Sequence, residues 1–520
     1  MGARSRRSRR SRRLAAALVA LACLTATPVV PPSHVGAATP PSSGSWPFPN
    51  GTLANRRVAV GSTISSANVA QLREAWSFKL SGRGAVTVGH YGSLAANPII
   101  ENGTVYLQDL ECDVYALRLS TGALEWEYKV GQPERSGPGP NGVAVVGTVV
   151  YGLAPTSAFA LDARTGKRIW VNRKLLTKGE GTFGIQPQVA TGRVYVASQY
   201  GTGPGGGVLM ALDARTGSLL WKFATSTGYS PGVKALGVGT GGAWETPLVG
   251  TDGSVTYGIG NPYQRTVEAI RHPARQLYTD SDVNLTAASG TLRWYYQGVP
   301  NDFLDWDMQT SPIGASVKGA PVVIGSGKMG YVYEMNAATG TLLWKRAVGE
   351  HNGHDNLGLL ALEHKSRLKA PFTTLPGSFG GVLTNLALAG NTIYVATLDF
   401  ALAEKTLTTV TESVAKSTPA GQIEALSLAT GKVEWDTKVP SLPLGAVTVS
   451  NDLVFTTLYT GELIALSRAT GAIVYRHKLP TSTNAPLAIA GGTVVVPAGG
   501  LRTSAKAKHG HPQVVAYRLH

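Results

Sequence analysis

Cysteine is nearly absent from this chain, and charge is sparse. The 520 residues include two cysteines, and charged residues make up 15% against 43% hydrophobic residues. Cys23 lies in an N-terminal segment that we expect to be removed, which leaves Cys112 alone and excludes an internal disulfide. The hydrophobic share is too high for a disordered chain. The sequence therefore predicts a folded protein that is held together by its core.

Several nucleotide, hydrolase and haem motifs are also missing. The chain contains no P-loop, no G-x-S-x-G elbow, no H-E-x-x-H pair and no C-x-x-C-H sequence. A glycine-rich stretch, Gly201 to Gly207, precedes a predicted strand and not a helix, so it lacks the helix N-terminus that would cradle a phosphate. No motif thus points to nucleotide hydrolysis, serine or zinc hydrolysis, or covalently attached haem.

Long hydrophobic runs are absent, and the one short run follows a basic start. Residues 4–13 contain seven arginines, and the 13-residue apolar segment Leu14 to Ala26 is too short to span a membrane. This order, with small residues at Val35 to Ala38, predicts a secretory signal peptide at residues 1–38. Two alternatives stay open, namely twin-arginine export through "SRRLAA" and lipid attachment at Cys23.

Basic charge outside that segment is diffuse. The formal charge is +16, and removing the seven arginines leaves about +9. No lysine or arginine stripe remains, so the sequence predicts no nucleic-acid partner.

Glycine is abundant, with 63 residues, and part of it recurs in a repeat. In seven places a Ser/Thr-Gly pair precedes an aromatic residue that lies four positions after the Gly. The seven aromatic residues are Trp126, Trp170, Trp221, Trp294, Trp344, Trp435 and Tyr475. Short apolar strands lie upstream of each turn, and Gly supplies the positive φ of a tight hairpin.

Repeated all-β units of this kind predict an eight-bladed β-propeller of four-stranded antiparallel blades over residues 70–520, after an N-terminal extension at 39–69. We expect the strand around Trp76 to complete the C-terminal blade and close the ring. Ala401 to Gly421 is predicted to be a surface insertion in the sixth unit.

The repeat resembles that of the pyrroloquinoline quinone (PQQ) family of β-propellers over nearly the whole chain after Asn55. That family includes PQQ-dependent alcohol dehydrogenases and non-enzymatic scaffold proteins of bacterial envelopes. The resemblance therefore implies the fold, and the function depends on residues outside the repeat.

Two segments between Trp221 and Trp294 resemble parts of the family's active site. "GTGGAWETPLVG" resembles the segment whose Trp stacks on the quinone, which implies that role for Trp244. "TYGIGNPYQ" resembles the segment whose Asn ligates calcium, which implies that role for Asn261. An amide oxygen is a suitable hard ligand for Ca²⁺. The competing interpretations are a core Trp and an ordinary Asn-Pro turn.

Two later segments complete the implied site. "VPNDFLDWD" resembles the family's segment that ends in the catalytic base, which implies that Asp305 is the base and also lies at the metal. "GSGKMGYVYEMNAATG" resembles the segment whose cation contacts the quinone, which maps to Lys328. Asp302 and Asp307 are expected to play supporting or structural roles. The alternatives are an exposed polar turn and an ordinary turn lysine.

The departures from the family pattern matter as well. No acid stands where the family has a calcium-ligating Glu, and Gln199 is the nearest oxygen donor. Asn141 stands in place of an Arg, and Cys112 has no neighbouring cysteine. Separately, His351, His354 and Asp355 could hold a metal, although a polar loop is the competing interpretation.

The favoured function is an exported PQQ-dependent oxidoreductase that oxidises an alcohol or a sugar hydroxyl, with Ca²⁺ assisting and a separate electron acceptor. The alternative is a non-catalytic propeller with a vestigial site that binds an envelope protein partner. The missing Glu and Arg favour the scaffold, whereas the four retained site residues favour the enzyme.

Overall fold

The architecture comes from a computed structural model, which describes residues 44–81, 92–130, 141–201, 206–226, 241–262, 266–273, 275–407, 413–414, 420–500 and 510–520. The predicted signal peptide and its cleavage site lie outside these ranges. In the described part of the chain, no helix is both long enough and apolar enough to cross a membrane.

Eight four-stranded antiparallel sheets form the body of the protein, which confirms the predicted propeller. We number the blades along the chain, and the first strand of each lies nearest the axis. Blade 1 comprises β2 to β5 (Ile99–Glu101, Thr104–Gln108, Val114–Arg118, Leu124–Tyr128), and blade 2 comprises β6 to β9 (Val143–Val146, Val149–Ala154, Ser157–Asp162, Arg168–Asn172). Blade 3 comprises β11 to β14 (Gln188–Ala190, Arg193–Gln199, Val208–Asp213, Leu219–Ala224), and blade 4 comprises β15 to β18 (Leu248–Val249, Ser254–Gly258, Ser281–Thr286, Leu292–Gln297). A further short strand, β10 (Thr182–Phe183), pairs with β12.

The remaining four blades repeat this pattern. Blades 5 to 7 comprise β19 to β22 (Ile313–Val317, Ala320–Gly327, Tyr331–Asn336, Leu342–Ala347), then β24, β25, β28 and β29 (Ala387–Ala389, Thr392–Asp399, Ala420–Ser427, Val433–Val439), then β30 to β33 (Thr448–Ser450, Leu453–Leu458, Glu462–Ser467, Ile473–Lys478). Blade 8 comprises β34 to β36 (Ala488–Ala490, Thr493–Ala498, Gln513–Leu519) and β1 (Leu72–Lys79).

The ring is closed by its N-terminal strand. β1 pairs antiparallel with β36, from Leu72 opposite Leu519 to Lys79 opposite Gln513. The first strand of the fold therefore completes the last blade, as the sequence predicts. Closure leaves no blade with an incomplete sheet that could pair with another chain.

Each repeated turn is built from the residues that the repeat supplies. In blade 2, the Asp162 carboxylate accepts hydrogen bonds from Thr165 N at 2.8 Å and Thr165 Oγ1 at 2.6 Å. Gly166 then takes φ +68°, a conformation that costs a glycine little. The turn thus follows directly from local chemistry.

A tryptophan joins seven of the eight blades to the next one. Seven tryptophans donate their indole N–H to a backbone carbonyl in the following blade and lie over the turn glycine there. The pairs of tryptophan and glycine are Trp76–Gly122, Trp126–Gly166, Trp170–Gly217, Trp221–Gly290, Trp294–Gly340, Trp344–Gly431 and Trp435–Gly471.

Two helices and one small sheet depart from the regular pattern. Helix α1 (Thr266–Arg271) lies between β16 and β17, and α2 (Leu357–His364) follows blade 5. Two single-turn 3-10 helices, Val69–Gln71 and Lys365–Arg367, precede β1 and follow α2. The predicted insertion after Ala401 is present between β25 and β28. Its strands β26 (Leu402–Glu404) and β27 (Ser413–Val414) pair in a sheet with β23 (Phe372–Thr374). The insertion ends before Ala420, which already belongs to β28.

Connections of two kinds reach the same face of the propeller. The first strand of a blade begins on the face where the antiparallel second strand ends. Segments before first strands and after second strands therefore meet on one face, which we call the site face. Trp244 and Asp305 belong to the first kind, and Asn261 and Lys328 to the second.

Candidate active site

Lys328 is the centre of a charged cluster on the site face. Its ammonium Nζ lies 2.9 Å from Asp305 Oδ1 and 2.5 Å from Asp307 Oδ2. The Lys328 side chain is 9% exposed and that of Asp307 is 1% exposed, whereas Asp305 is 35% exposed. One buried cation thus faces two carboxylates, and only Asp305 opens towards solvent.

Asp307 connects this cluster to Asn261. Its Oδ1 accepts a hydrogen bond from Asn261 N at 2.6 Å. A methyl group built on Gly260 would overlap Asp307 Oδ1 and would lie 2.7 Å from Trp244 Nε1. Asp307 and Trp244 therefore both pack against the Gly260 backbone. The four predicted site residues converge on one place, and Asp307 links them.

The backbone around Asp305 is held by Asp302. The Asp302 carboxylate accepts hydrogen bonds from Leu304 N at 2.8 Å and Trp306 N at 2.7 Å. This arrangement supports a left-handed conformation at Asp305, with φ +61°. Asp302 is itself buried. Its role is structural, as expected, because it fixes the direction in which Asp305 points.

Burial and close charges shift the pKa values of the cluster. Burial is the largest effect on the pKa of Asp305 and raises it, whereas the Lys328 ammonium lowers this pKa and the Asp307 carboxylate raises it. Together these effects raise the pKa of Asp305 to about 8. Burial acts to lower the pKa of Lys328, but the two carboxylates outweigh it and the pKa is raised. Burial raises the pKa of Asp302 to about 6. Lys328 therefore stays charged, while Asp305 can exchange a proton near neutral pH.

Buried polar atoms without a hydrogen-bond partner surround this cluster in the described part of the chain. They are Asn261 Oδ1, Trp244 Nε1, both amide atoms of Gln199 and both carboxylate oxygens of Asp280. Buried polar groups normally have partners, so this concentration of polar atoms fits a place that binds a polar ligand or a cation. Burial, followed by the charges of Asp302, Asp307 and Asp305, raises the pKa of Asp280 well above its usual value.

The donor chemistry suits a hard cation. Among the described residues no group of three or more His, Cys, Asp or Glu side chains is arranged to hold a metal ion. The oxygen donors that do converge are the Asn261 amide and the carboxylates of Asp305 and Asp307. Amide and carboxylate oxygens are the ligands that Ca²⁺ prefers. The half-buried ring of Trp244 adds a flat surface next to these oxygens.

Comparison with known proteins decides the family. A sequence model described as "Glucose/ethanol/alcohol dehydrogenase, beta-propeller domain" matches residues 46–351, which is more than half of the chain. The chain belongs to the glucose/ethanol/alcohol dehydrogenase β-propeller family. A second model, described as outer membrane protein assembly factor BamB, matches residues 419–513.

Curated relatives of this dehydrogenase-family propeller are quinoproteins. The chain is 29% identical over 342 residues to the quinohemoprotein alcohol dehydrogenase ADH-IIG of Pseudomonas putida, covering 59% of this chain and 46% of that protein. It is 27% identical over 363 residues to the lanthanide-dependent methanol dehydrogenase of Methylacidiphilum fumariolicum, covering 59% and 57%. The matches thus span about half the length of these relatives.

Solved structures support the same fold. The quinohemoprotein alcohol dehydrogenase of Comamonas testosteroni superposes with a TM-score of 0.78 at 22% identity, covering 93% of this chain and 81% of that one. A europium-containing methanol dehydrogenase superposes with a TM-score of 0.73 at 20% identity, covering 92% and 98%.

The three positions at which this dehydrogenase-family propeller departs from the expected site are all buried. Gln199 is fully buried at the end of β12 and abuts Gly242. Asn141 donates from Nδ2 to the buried thiol of Cys112 at 3.6 Å. These side chains are neutral where the family pattern has charges or a cysteine pair.

The histidine cluster is a polar loop in this propeller. His351 Nδ1 lies 2.7 Å from an Asp355 oxygen, and its Nε2 faces the carbonyls of Gly330 at 3.0 Å and Val348 at 3.1 Å. His354 instead stacks on the Phe372 ring. His351 and Asp355 pair with each other, whereas His354 stacks on a ring, so this geometry favours the polar-loop interpretation over a shared metal site.

Two features of the site escape sequence reasoning. Asp280 lies between β16 and β17 in a stretch without a recognisable motif, and only its burial beside the acidic cluster reveals it. Gly260 looks like a turn glycine, but its role is to let Asp307 and Trp244 approach the backbone. The neighbouring "GNP" letters could have indicated a close approach.

Proposed function

We propose that this chain is the propeller of an exported PQQ-dependent oxidoreductase that oxidises an alcohol hydroxyl. The single observation that carries the proposal is the contact of Lys328 with both Asp305 and Asp307, because it sets a buried cation beside a partly exposed carboxylate and beside the carboxylate that binds Asn261 N. The family membership and the quinoprotein relatives support the same conclusion.

Each residue has a part in holding the cofactor and the metal. Trp244 offers a flat ring for stacking, Lys328 offers a positive charge to the anionic cofactor, and Asn261 with Asp305 offers oxygens to a Ca²⁺ ion. PQQ, when bound, accepts two electrons and a hydrogen from the alcohol carbon, which leaves a carbonyl product.

Asp305 is the proposed base. It is the member of the cluster with solvent access, and its pKa is raised to about 8. A general base is most effective when its pKa is close to the operating pH. The Asp305 carboxylate would accept the hydroxyl proton, and Lys328 would stabilise the carboxylate before the transfer. Asp302 holds the loop so that the Asp305 oxygens face the substrate.

The substrate that the site face favours is an apolar alcohol. Phe400 follows the second strand of blade 6 as Lys328 follows that of blade 5. Its ring centroid lies 6.1 Å from that of Phe379, which is 41% exposed. Gly381 lies two residues after Phe379, and a methyl group on it would overlap the Lys328 carbonyl, so this segment packs against the Lys328 backbone. Two accessible aromatic rings beside the cluster suit an apolar group better than a sugar.

A separate electron acceptor completes the proposal, because the sequence has no C-x-x-C-H haem motif. The acceptor takes the two electrons from the reduced cofactor in a later step. The basic and apolar N-terminus supports export, with twin-arginine transport and lipid attachment at Cys23 as alternative routes.

A second candidate is a non-catalytic envelope scaffold with a vestigial site. The match of residues 419–513 to the BamB family supports it, as do the neutral residues Gln199 and Asn141. This candidate requires no cofactor, so one binding measurement separates the two functions.

The deciding experiment is a titration of the protein with PQQ, with and without Ca²⁺, followed by tryptophan fluorescence. We expect saturable, cation-dependent quenching that is lost in Trp244→Ala and kept in Trp76→Phe, whose indole lies in blade 8. A parallel titration with a trivalent lanthanide tests which hard cation is used, because one relative is a lanthanide-dependent enzyme. No binding with either cation would favour the scaffold.

A kinetic experiment then tests Asp305. Asp305→Asn should retain PQQ binding and lose about 10²- to 10⁴-fold in turnover of 1-hexanol or benzyl alcohol with an artificial electron acceptor. Turnover of glucose that exceeds turnover of both alcohols would contradict the substrate assignment.

A further inference from the structure

The segment Ser45 to Ile64, here called the axial segment, lies against the innermost strands of several blades. Trp46 pairs with Ile100 beside blade 1. Val58 pairs with Val449 of blade 7, and Ser62 Oγ donates to the Gly491 carbonyl of blade 8 at 2.9 Å. The segment therefore contacts the ring from inside, where the first strands of the blades begin.

Arg57 fixes this segment in place. The side chain is fully buried and makes five hydrogen bonds. Its partners are the carbonyls of Val447 at 2.8 Å and Leu487 at 3.0 Å, Thr448 Oγ1 at 2.8 Å, Asn97 Oδ1 at 2.5 Å and Asn50 Oδ1 at 2.9 Å. Four of these groups come from blades 1, 7 and 8 or lie directly before their first strands, and the fifth, Asn50, belongs to the axial segment itself. The guanidinium thus ties the axial segment to blades 1, 7 and 8.

Asn55 reaches towards the site from the same segment. Its Nδ2 donates to the Pro312 carbonyl at 2.9 Å and to the Thr246 carbonyl at 3.4 Å. Thr246 follows Trp244 by two positions, and Pro312 follows Asp307 by five. The Asn55 amide therefore bridges the segment that carries Trp244 and the segment that carries Asp305 and Asp307.

A second bridge runs in parallel through Asn385. Its Nδ2 donates to Glu245 Oε2 at 3.0 Å and to Asn50 Oδ1 at 3.2 Å, and its Oδ1 accepts from Ser311 N at 2.8 Å. Asn50 Nδ2 donates to Ser311 Oγ at 3.0 Å. Glu245 is the residue directly after Trp244. The Trp244 segment and the Asp307–Ser311 segment are thus held twice, once by Asn55 of the axial segment and once by Asn385, which itself contacts Asn50 of the axial segment.

We propose that the axial segment sets the position of Trp244 relative to the Asp305–Lys328 cluster, with Asn55 and Asn385 as positioning residues for the cofactor site. The inference rests on the proposed function for its consequence, because Trp244 and Lys328 would both contact the bound cofactor. Small displacements of such groups have large effects on binding and rate. The hydrogen bonds of Asn55 and Asn385 thus connect the segment before blade 4 with the segment before blade 5, and these two segments do not pair as strands.

The test uses the full chain and three substitutions. Asn55→Gly removes the hydrogen bonds to Thr246 and Pro312, together with the one that Asn55 Oδ1 accepts from Asn50 Nδ2 at 3.3 Å, and it keeps the left-handed backbone, since Asn55 has φ +57°. Asn55→Asp keeps the shape and removes the N–H donors, so it serves if the glycine variant does not fold. Ser62→Ala is the matched control, because it removes axial-segment hydrogen bonds to Gly491 of blade 8 and Ser450 of blade 7.

Two readouts separate positioning from general stability. Hydrogen exchange of peptides over residues 241–249 and 301–312 reports the local order of both segments without any cofactor. PQQ affinity in Ca²⁺, measured by tryptophan quenching, reports the assembled site. We expect Asn55→Gly to speed exchange in both peptides and to weaken PQQ binding about tenfold. Ser62→Ala should change the thermal unfolding midpoint but leave the exchange of both peptides and the PQQ affinity unchanged.

The outcomes distinguish this inference from the proposed function. Faster exchange in both peptides, with no PQQ binding by the unaltered protein, would support the positioning role and refute the quinoprotein. Unchanged exchange in both peptides for Asn55→Gly and Asn55→Asp, or equal effects of these variants and Ser62→Ala, would overturn the inference. PQQ affinity that survives while exchange rises would also overturn it.

Discussion

Trp126 of blade 1 lies so close to Gly166 of blade 2 that a methyl group on Gly166 would be 2.6 Å from Trp126 Cε3. The indole Nε1 of Trp126 also donates to the Ala163 carbonyl at 2.9 Å. The glycine therefore serves two needs at once, since it takes φ +68° and leaves room for the ring. The same relationship recurs between six further pairs of residues, so the repeat encodes the contact between blades as well as the turn.

The first prediction concerns that contact. Gly166→Ala should lower the free energy of unfolding by about 2–5 kcal/mol, because it adds backbone strain of about 1–2 kcal/mol and overpacking of about 1–3 kcal/mol. Gly147→Ala is the control, because Gly147 has φ +60° with nothing within 4 Å of an added methyl group. Urea unfolding measures both. Equal losses for the two variants would mean that the indole contributes nothing.

The second prediction concerns the close approach at Gly260. Gly260→Ala should weaken PQQ binding by about tenfold or more, because the methyl group would displace Asp307 or Trp244. Gly253→Ala lies in the same blade with open space around it, so it should leave PQQ affinity unchanged although its φ is +76°. Fluorescence titration measures both affinities. An unaltered affinity in Gly260→Ala would show that these two groups do not form the cofactor site.

The third prediction concerns the ion pairs of Lys328. Lys328→Met should destabilise the fold by about 3 kcal/mol at pH 8, because it leaves the buried Asp307 carboxylate without its cation. The loss should be smaller at pH 5. Without the ammonium, the folded pKa of Asp305, which burial already raises, rises further above its unfolded value, so stability falls as pH rises between the two values.

Urea unfolding at both pH values tests this third prediction. Lys129→Met is its control, since the Lys129 side chain is 70% exposed and its pair with Glu127 lies at the surface. A Lys328→Met variant that is equally stable at pH 5 and pH 8 would contradict the expected burial of the carboxylates.

The fourth prediction concerns Asp282 in β17. Burial raises the pKa of Asp282 from 3.8 to about 8. The folded state then binds a proton that the unfolded state releases, so this group makes the protein less stable as pH rises from about 4 to about 8. Asp282→Asn should remove that part of the pH dependence, and unfolding at pH 5 and pH 8 should differ less than in the unaltered protein.

Asp252→Asn is the control for this fourth prediction. Asp252 is 46% exposed and its pKa is lowered, with hydrogen bonds from Ser254 and Arg293 outweighing burial. Because this pKa is lowered, the contribution of Asp252 to the free energy of unfolding changes with pH only in the acid range, below about pH 5. An identical pH difference in all three proteins would show that Asp282 does not titrate in this window.

The fold could be predicted from the sequence because its information is local and repeated. Each Ser/Thr-Gly turn lies within a few residues of the strands it connects, and the aromatic residue lies at a constant distance. The number of blades, the closing strand at Trp76 and the insertion after Ala401 follow from this spacing. The end of the insertion was placed at Gly421, although Ala420 is already in β28, because a strand start has no comparable marker.

The candidate site could be predicted only in part. Trp244, Asn261, Asp305 and Lys328 were chosen by resemblance, and their convergence required the fold. Asp307 was expected to have a supporting role, but it makes the shortest contact with Lys328. How close each of the two neighbouring carboxylates lies to the lysine depends on the loop conformation that Asp302 supports, and the sequence pattern does not contain that conformation.

The sequence alone determined the ring of blades, since turn chemistry and hydrophobic alternation act between residues that are close along the chain. The tertiary structure decided what occupies the axis and how the site is assembled. Arg57 meets Leu487, and Asn55 meets Thr246 and Pro312, across separations of 191 to 430 residues. Such contacts exist only after the ring has closed, because closure alone brings the first strands of distant blades to one centre.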